Sequence, residues 1–171
     1  MLGPHGFARR SCPDVEGGIM PFISLNTEVG PLTIFADDEA IVAVDWGWPP
    51  ETDEPPGPLL ERARDQLEAY FAGTLTAFDL PLAPHGTAFQ RKVWASIAGI
   101  PFGKVRTYGD LARELETGPR ALGTACGRNP IPIIIPCHRV LGTNGSLGGY
   151  SGMDGIDTKR ALLKLEGVSL P

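Results

Sequence analysis

The sequence predicts an α+β chain in two unequal parts: short strands and one helix first, then a helical part built around a helix-turn-helix. Three observations carry this expectation. Short β-branched and aromatic segments cluster before residue 50, and segments with 3.6-residue periodicity and capping signals follow residue 58. Charge also changes sign along the chain. Residues 1–86 hold four Lys and Arg against fourteen Asp and Glu, whereas residues 87–171 hold eleven against six. Such asymmetry points to a polyanion meeting the second half, although the net charge is −5.

Residues 1–19 show no periodicity and read as a loose extension, with Met20 a candidate start. FISLNT, LTIFA and AIVAVDW are separated by Gly30-Pro31 and Asp37-Asp38-Glu39, which predicts a three-stranded antiparallel meander. Pro49–Pro58 contains five prolines and reads as a surface loop. Leu59, Ala63, Leu67, Tyr70 and Phe71 then share one helical face, and Gly73 stops the helix. FDLPL (78–82) is a short strand or extended linker, and Pro84-His85-Gly86 marks the change from acidic to basic chain. The expected division is 1–19, 20–84 and 85–171.

Thr87 caps a helix whose apolar face is Phe89, Val93, Trp94 and Ile97, ending near Gly99. Thr107 with Asp110 resembles a capping box and opens a short helix through Leu111 and Leu115. Pro119 opens the next helix, Pro119–Gly127, which is built from the small residues Ala121, Gly123, Thr124, Ala125 and Gly127. Two short helices with a tight turn between them suggest a helix-turn-helix. IPIIIP (131–136) reads as a buried strand that Pro136 ends, and a Gly-rich loop (142–155) leads to a last helix from about Asp157 to Glu166.

Composition excludes several classes. Gly 22 and Pro 17, roughly twice the usual share, follow no period, so a collagen is excluded. No apolar run approaches the ~18 residues that span a bilayer, and the first twenty residues lack the pattern of a secretory leader. Three cysteines far apart make no disulfide framework, and His5 with Cys12 cannot complete a zinc site. A cytoplasmic protein with reduced thiols, no metal and no cofactor is expected.

The chemistry lies in Asn129–Val140. A cysteine beside a histidine supplies a nucleophile and a base, since the thiolate is the reactive form. On a regular strand Cys137 and His138 would face opposite ways. Pro136 therefore implies a turn at Cys137, such as a single helical turn, that brings imidazole and sulfur together directly or through a water. On this reading the sulfur is ionised and faces its substrate.

The stretch RALGTACGRNPIPIIIPCHRV (120–140) closely resembles the O6-alkylguanine-DNA alkyltransferases, or methylated-DNA–protein-cysteine methyltransferases, whose signature is Pro-Cys-His-Arg-Val. The resemblance spans roughly residues 20–167. It includes Phe89-Gln90, Val93-Trp94, Ile100-Pro101, Thr107-Tyr108, Gly149-Tyr150-Ser151-Gly152 and the closing Leu-Leu-x-Leu-Glu at 162–166. It implies a small ribonuclease-H-like domain followed by a helical domain with a winged-helix-like DNA-binding unit.

The resemblance also implies a role for each matched position. Cys137 takes the alkyl group from O6 of guanine. His138 deprotonates it through a water, and Glu166 orients His138. Tyr108 helps rotate the nucleotide and gives a proton toward guanine N3, and Arg120 fills the gap left by the flipped base. Ala121 and Thr124 lie on the groove-facing helix. The carbonyls of Cys137 and Val140 accept from the guanine amine, the backbone N–H of Ser151 donates to the leaving base, and Tyr150 belongs to the substrate pocket. Asn129 ties the recognition helix to the active-site turn. Cys126 on that helix matches no motif and reads as a small packing residue.

The expected partner is double-stranded DNA bearing O6-alkylguanine, entered through the minor groove by a monomer. Because a thioether is inert, the transfer is stoichiometric. A damage sensor without transfer would lack Cys137, and an unrelated thiol hydrolase would need an oxyanion hole and a more distant histidine. The stretch between Tyr108 and Arg120 is about two residues shorter than the family pattern, which implies a tight turn there.

Overall fold

The computed structural model describes residues 20–49, 51, 52, 54–150, 152 and 155–170. The extension at 1–19, with His5 and Cys12, and the pocket residue Ser151 lie outside the described residues.

Alternation of apolar and polar residues forms three strands, β1 (Phe22–Thr27), β2 (Gly30–Ala36) and β3 (Ile41–Trp46). They pair antiparallel in the order β1-β2-β3, as the meander reading expects. Register places Ile23 opposite Ile34 and Ile34 opposite Val44, with Leu25 opposite Leu32, so one face of the sheet is continuous and apolar. All five are buried.

Helix α1 (Pro58–Phe71) belongs to the same core. Its buried side chains are Leu60, Ala63, Leu67 and Tyr70. The face is therefore centred on Leu60, with Leu59 and Phe71 at its margins, because Leu60 keeps the i, i+3, i+7 spacing with Ala63 and Leu67. Gly73, at φ 75°, ends the helix while Thr74 N donates to Ala69 O. Leu82 makes a single bridge to Ile41, which is all the strand character of 78–82.

Helix α2 (Ala88–Ala98) starts with a complete capping box between Thr87 and Gln90. Val93, Trp94 and Ile97 are buried, but Phe89 is 37% exposed and does not belong to that face. Trp94 Nε1 donates to Ala125 O at 2.9 Å and so fastens α2 to α4. A Cβ on Gly86 would stand 2.5 Å from the Trp94 ring, so only glycine lets the connecting chain pass there.

A two-residue strand β4 (Arg106–Thr107) leads through the Thr107/Asp110 box into α3 (Tyr108–Glu114). The turn into α4 (Pro119–Gly127) is tight, with Glu116 at φ 53° and Pro119 in the first turn of the helix. β4 pairs in parallel with β5 (Val140–Leu141), and α5 (Ile156–Leu165) closes the described chain.

The segment 131–136 is not the strand the sequence suggested. It folds back on itself in a turn closed by a bridge between Pro132 and Ile135, with Ile133 at φ 72°. Three prolines in seven residues remove the N–H donors a sheet ladder needs, so the run buries its isoleucines as a knot instead. The knot touches the first part of the chain, since Val44 N donates to Pro130 O at 2.9 Å. Among the described residues no helix is long and apolar enough to cross a membrane.

Candidate active site

Pro136 ends the knot, and Cys137–Arg139 form a single 3-10 turn. This is the turn expected from the Pro-Cys-His order, and it takes Cys137 and His138 off opposite faces of a strand. The turn is braced from behind by Asn129. Its Nδ2 donates to Ile135 O at 2.8 Å, and its Oδ1 accepts from Ile131 N at 2.9 Å. The Asn129 side chain thus links the end of α4 to the chain that carries Cys137. Asn129→Ala leaves the buried Ile131 N–H unpaired and leaves Ile135 O with Cys137 N as its one remaining donor, which should cost about 1–3 kcal/mol. A guanidinium titration checks this, and a shift worth under about 1 kcal/mol would show that the knot holds without its brace.

His138 is fully buried, and its Nε2 lies 2.7 Å from Glu166 Oε1. Glu166 is also held by Arg139, whose Nε reaches Oε2 and whose Nη2 reaches Oε1, both at 2.9 Å. Tyr70 donates to Oε1 at 2.7 Å, and Gly103 N donates to Oε2 at 3.3 Å. Burial pushes the Glu166 carboxyl up, but hydrogen bonds from His138, Arg139 and Tyr70 outweigh it and hold its pKa at about 2. An ionised carboxylate only accepts, so Nε2 of His138 carries the proton shared with it. Nδ1 is then the basic nitrogen, and it is buried with no hydrogen-bond partner among the described residues.

Burial lowers the His138 pKa against the pull of Glu166, so the imidazole is neutral and able to take a proton. Burial raises the Cys137 thiol, opposed by the Asn129 amide and the Lys159 ammonium. The sulfur therefore rests as a thiol. This differs from the expectation of a standing thiolate: burial of the sulfur disfavours the anion until a base takes the proton.

Cys137 opens onto a cavity of about 740 Å³, lined also by Tyr108, Arg120, Cys126, Thr143 and Tyr150. The size suits a small-molecule ligand such as a nucleobase. Burial, together with the nearby Cys126 and Cys137 sulfurs, raises Tyr108 to about 12, so it keeps its proton at neutral pH. Tyr150 is also raised by burial, and its hydroxyl has no hydrogen-bond partner among the described residues. Arg120 is exposed at the cavity's edge at the start of α4. Ala121 and Thr124 are exposed on the same helix and are not among the cavity's lining residues. Cys126 is buried, as a packing residue should be, and it also faces the cavity.

Two buried cations were not anticipated from the sequence. Arg139 closes the ring around Glu166 and donates through Nη1 to Ile100 O at 2.6 Å. Lys159 is wholly buried, donates to Val140 O at 2.6 Å and lies 5.7 Å from the Tyr108 ring centroid. Burial brings its pKa down to about 8, against the pull of the Cys137 and Cys126 sulfurs. Among the described residues no three His, Cys, Asp or Glu side chains gather as a metal-binding group.

Residues 20–84 match the family model for the ribonuclease-like domain of 6-O-methylguanine DNA methyltransferase, and residues 88–168 match that for its DNA binding domain. A methylated-DNA–protein-cysteine methyltransferase of Methanosarcina acetivorans is 44% identical over 156 residues, covering 86% of this chain and 99% of its own. One of Mycobacterium bovis is 43% identical over 155 residues, covering 86% of this chain and 93% of its own. Among solved structures, the Mycobacterium tuberculosis OGT in complex with DNA superposes with a TM-score of 0.75 at 44% identity, covering 85% of this chain and 91% of that one. An O6-methylguanine DNA methyltransferase from Methanococcus jannaschii gives 0.63 at 32% identity, covering 87% and 95%. With both domain models matched in order, and relatives above 40% identity covering most of the chain, the chain belongs to the 6-O-methylguanine DNA methyltransferase family.

Proposed function

We propose that this protein repairs alkylated DNA by moving the alkyl group from O6 of a guanine to Cys137, once and irreversibly. The observation that carries the reading is the relay behind the cavity: a thiol facing open space, a neutral imidazole with a free Nδ1, and a carboxylate that fixes that imidazole from the other side.

The nucleic-acid partner is double-stranded DNA entered from the minor groove. The exposed face of α4 carries Ala121, Thr124 and Gly127, which lack bulk, so the helix approaches a narrow groove closely. Arg120 at its head takes the place of the extruded base, which offsets part of the few kcal/mol that flipping costs. The guanine enters the cavity against Tyr150, with the carbonyls of Cys137 and Val140 as acceptors for its amine and the Ser151 N–H as a donor.

In the transfer the thiol proton passes through a water to His138 Nδ1, which has no direct partner among the described residues. The sulfur attacks the alkyl carbon as the C–O6 bond breaks, and the electron pair stays on guanine. Tyr108, still protonated, stabilises the departing base by hydrogen bonding and gives it a proton, and the proton taken up by His138 leaves through solvent as Tyr108 is reprotonated, so that protein and guanine both end neutral. Lys159 holds the Val140 carbonyl in place and favours the transient thiolate. Asn129 keeps Cys137 aimed at the cavity. The thioether product has no base or nucleophile able to cleave it, so each molecule acts once. The protein works as a monomer in the reducing cytoplasm, where Cys126 and Cys137 stay free.

The test is a mass measurement after incubation with methylated duplex DNA. One methyl group on Cys137 per protein is expected, with no further gain from a second dose of substrate. An unmodified Cys137 at equimolar lesion, or turnover beyond one equivalent, sinks the reading. Duplex affinity should fall as salt rises, with a gentle slope because the acidic first half opposes the basic second.

A further inference from the structure

Tyr70 lies on α1, ninety-six positions before Glu166, and does not line the cavity. It is nonetheless wholly buried, and its hydroxyl points at the carboxylate of the relay. The ring is held on several sides, by Phe71 at 5.2 Å, Phe78 at 5.5 Å and Phe102 at 6.0 Å between centroids. Phe102 also lies 5.9 Å from the Arg139 guanidinium carbon. Oε1 of Glu166 thus accepts from three donors at once: Tyr70 Oη, His138 Nε2 and Arg139 Nη2.

That crowding has a consequence. Three donors on one oxygen arrive from different directions and leave Oε1 little freedom to rotate. They also share its lone pairs, so each draws less charge than it would alone. We propose that Tyr70 is a positioning residue for alkyl transfer, through which the strand-bearing part of the chain fixes the carboxylate oxygen that orients His138. The inference rests on the alkyl-transfer reading and deepens it, since it gives the first domain a defined part in the chemistry of the second.

Tyr70 affects both geometry and proton affinity. With its O–H on Oε1, the carboxylate pulls less strongly on the imidazole proton, and His138 stays neutral further into acid. The charged groups acting on His138 are Lys159 from α5, Glu166 at the end of α5 and Arg139 from its own turn, and Tyr70 from α1 reaches it through the shared Glu166 oxygen. Of these only Tyr70 comes from the first domain, and burial above all holds its hydroxyl well above its ordinary pKa. It therefore remains a donor across the whole working range.

The experiment compares wild type with Tyr70→Phe in the full chain. Phenylalanine keeps the ring contacts and deletes one O–H. Single-turnover methyl transfer is followed from pH 5 to 9, and the His138 imidazole is titrated by NMR in both proteins. The inference expects a fall of about tenfold in rate at neutral pH, an acid limb displaced to higher pH, and an upward shift of the His138 titration. Phe71→Leu is the control, because Phe71 packs on the same ring without touching the carboxylate; it should lower the melting temperature and leave the limb in place. Wild-type rate, limb and imidazole titration in Tyr70→Phe would overturn the inference, as would an equal displacement of the limb in Phe71→Leu. If the wild type itself transfers nothing, the alkyl-transfer reading fails. The NMR titration then still decides whether Tyr70 governs the imidazole.

Discussion

Cys137→Ser should abolish methyl uptake while leaving DNA binding intact, a loss of at least about 10⁴-fold in transfer rate. The side chain is nearly isosteric and the position is buried, so the fold has no reason to change. What changes is the acidity and nucleophilicity of the attacking atom. The site already disfavours an anion, since burial raises even the thiol. A hydroxyl, more acid-resistant still by many orders of magnitude, cannot be ionised there by a neutral imidazole. The alkyl group stays on guanine, and the protein becomes a lesion binder. Parallel gel-shift and mass measurements on methylated duplex check both halves. Methyl appearing on another residue at wild-type rate, Cys126 for example, would show that the nucleophile has been misassigned.

Glu166→Ala should be the most destabilising single change in the site, at about 3–5 kcal/mol. It leaves the Arg139 guanidinium, only 6% exposed as a residue, without its anion, and it orphans the Tyr70 hydroxyl and the Gly103 N–H. A domain of this size holds about 5–15 kcal/mol in all, so the melting temperature should drop by roughly 10 °C or more. The wild type should also show an acid dependence traceable to the same residue. The Glu166 pKa falls from 4.5 to about 2 on folding, so the stability it contributes is complete above about pH 5 and is lost as pH drops toward 2. Glu166→Gln removes that dependence between pH 5 and 2, in addition to lowering stability at neutral pH. A melting temperature within about 2 °C of wild type for Glu166→Ala would mean that the Glu166 network contributes nothing net.

Much of the fold was legible in short stretches of sequence. The meander follows from β-branched residues punctuated by Gly-Pro and Asp-Asp-Glu. The starts of α2, α3 and α4 follow from Thr87, Thr107 and Pro119, each of which acts within one helical turn. The reactive turn follows from Pro136 before Cys137 and His138. The strand expected at 131–136 failed for a reason beyond its own residues. The left-handed Ile133 is tolerated because Asn129 braces the backbone on both sides of it, and propensity says nothing of that brace.

Lys159 and Arg139 were missed, yet one of them had left a signal. Lys159, Leu162, Leu163 and Glu166 follow the i, i+3, i+4, i+7 spacing of a buried helical face, so a lysine within α5 and a glutamate at its C-terminal cap occupy core positions. Charged residues at core positions are retained where something uses them, and that pattern identifies both without an alignment. Arg139 left no comparable mark, because a single 3-10 turn has no face to read.

The sequence by itself determined which elements form, where they start and stop, and which two neighbouring side chains can act as nucleophile and base, because sterics and backbone hydrogen bonds act over a few residues. Only the tertiary structure decided the protonation states. The thiol is raised and the imidazole kept neutral by burial, and the carboxylate is held ionised by donors up to ninety-six positions away. Proton affinity depends on the local dielectric and on every charge and donor within a few ångströms, whatever its place in the chain.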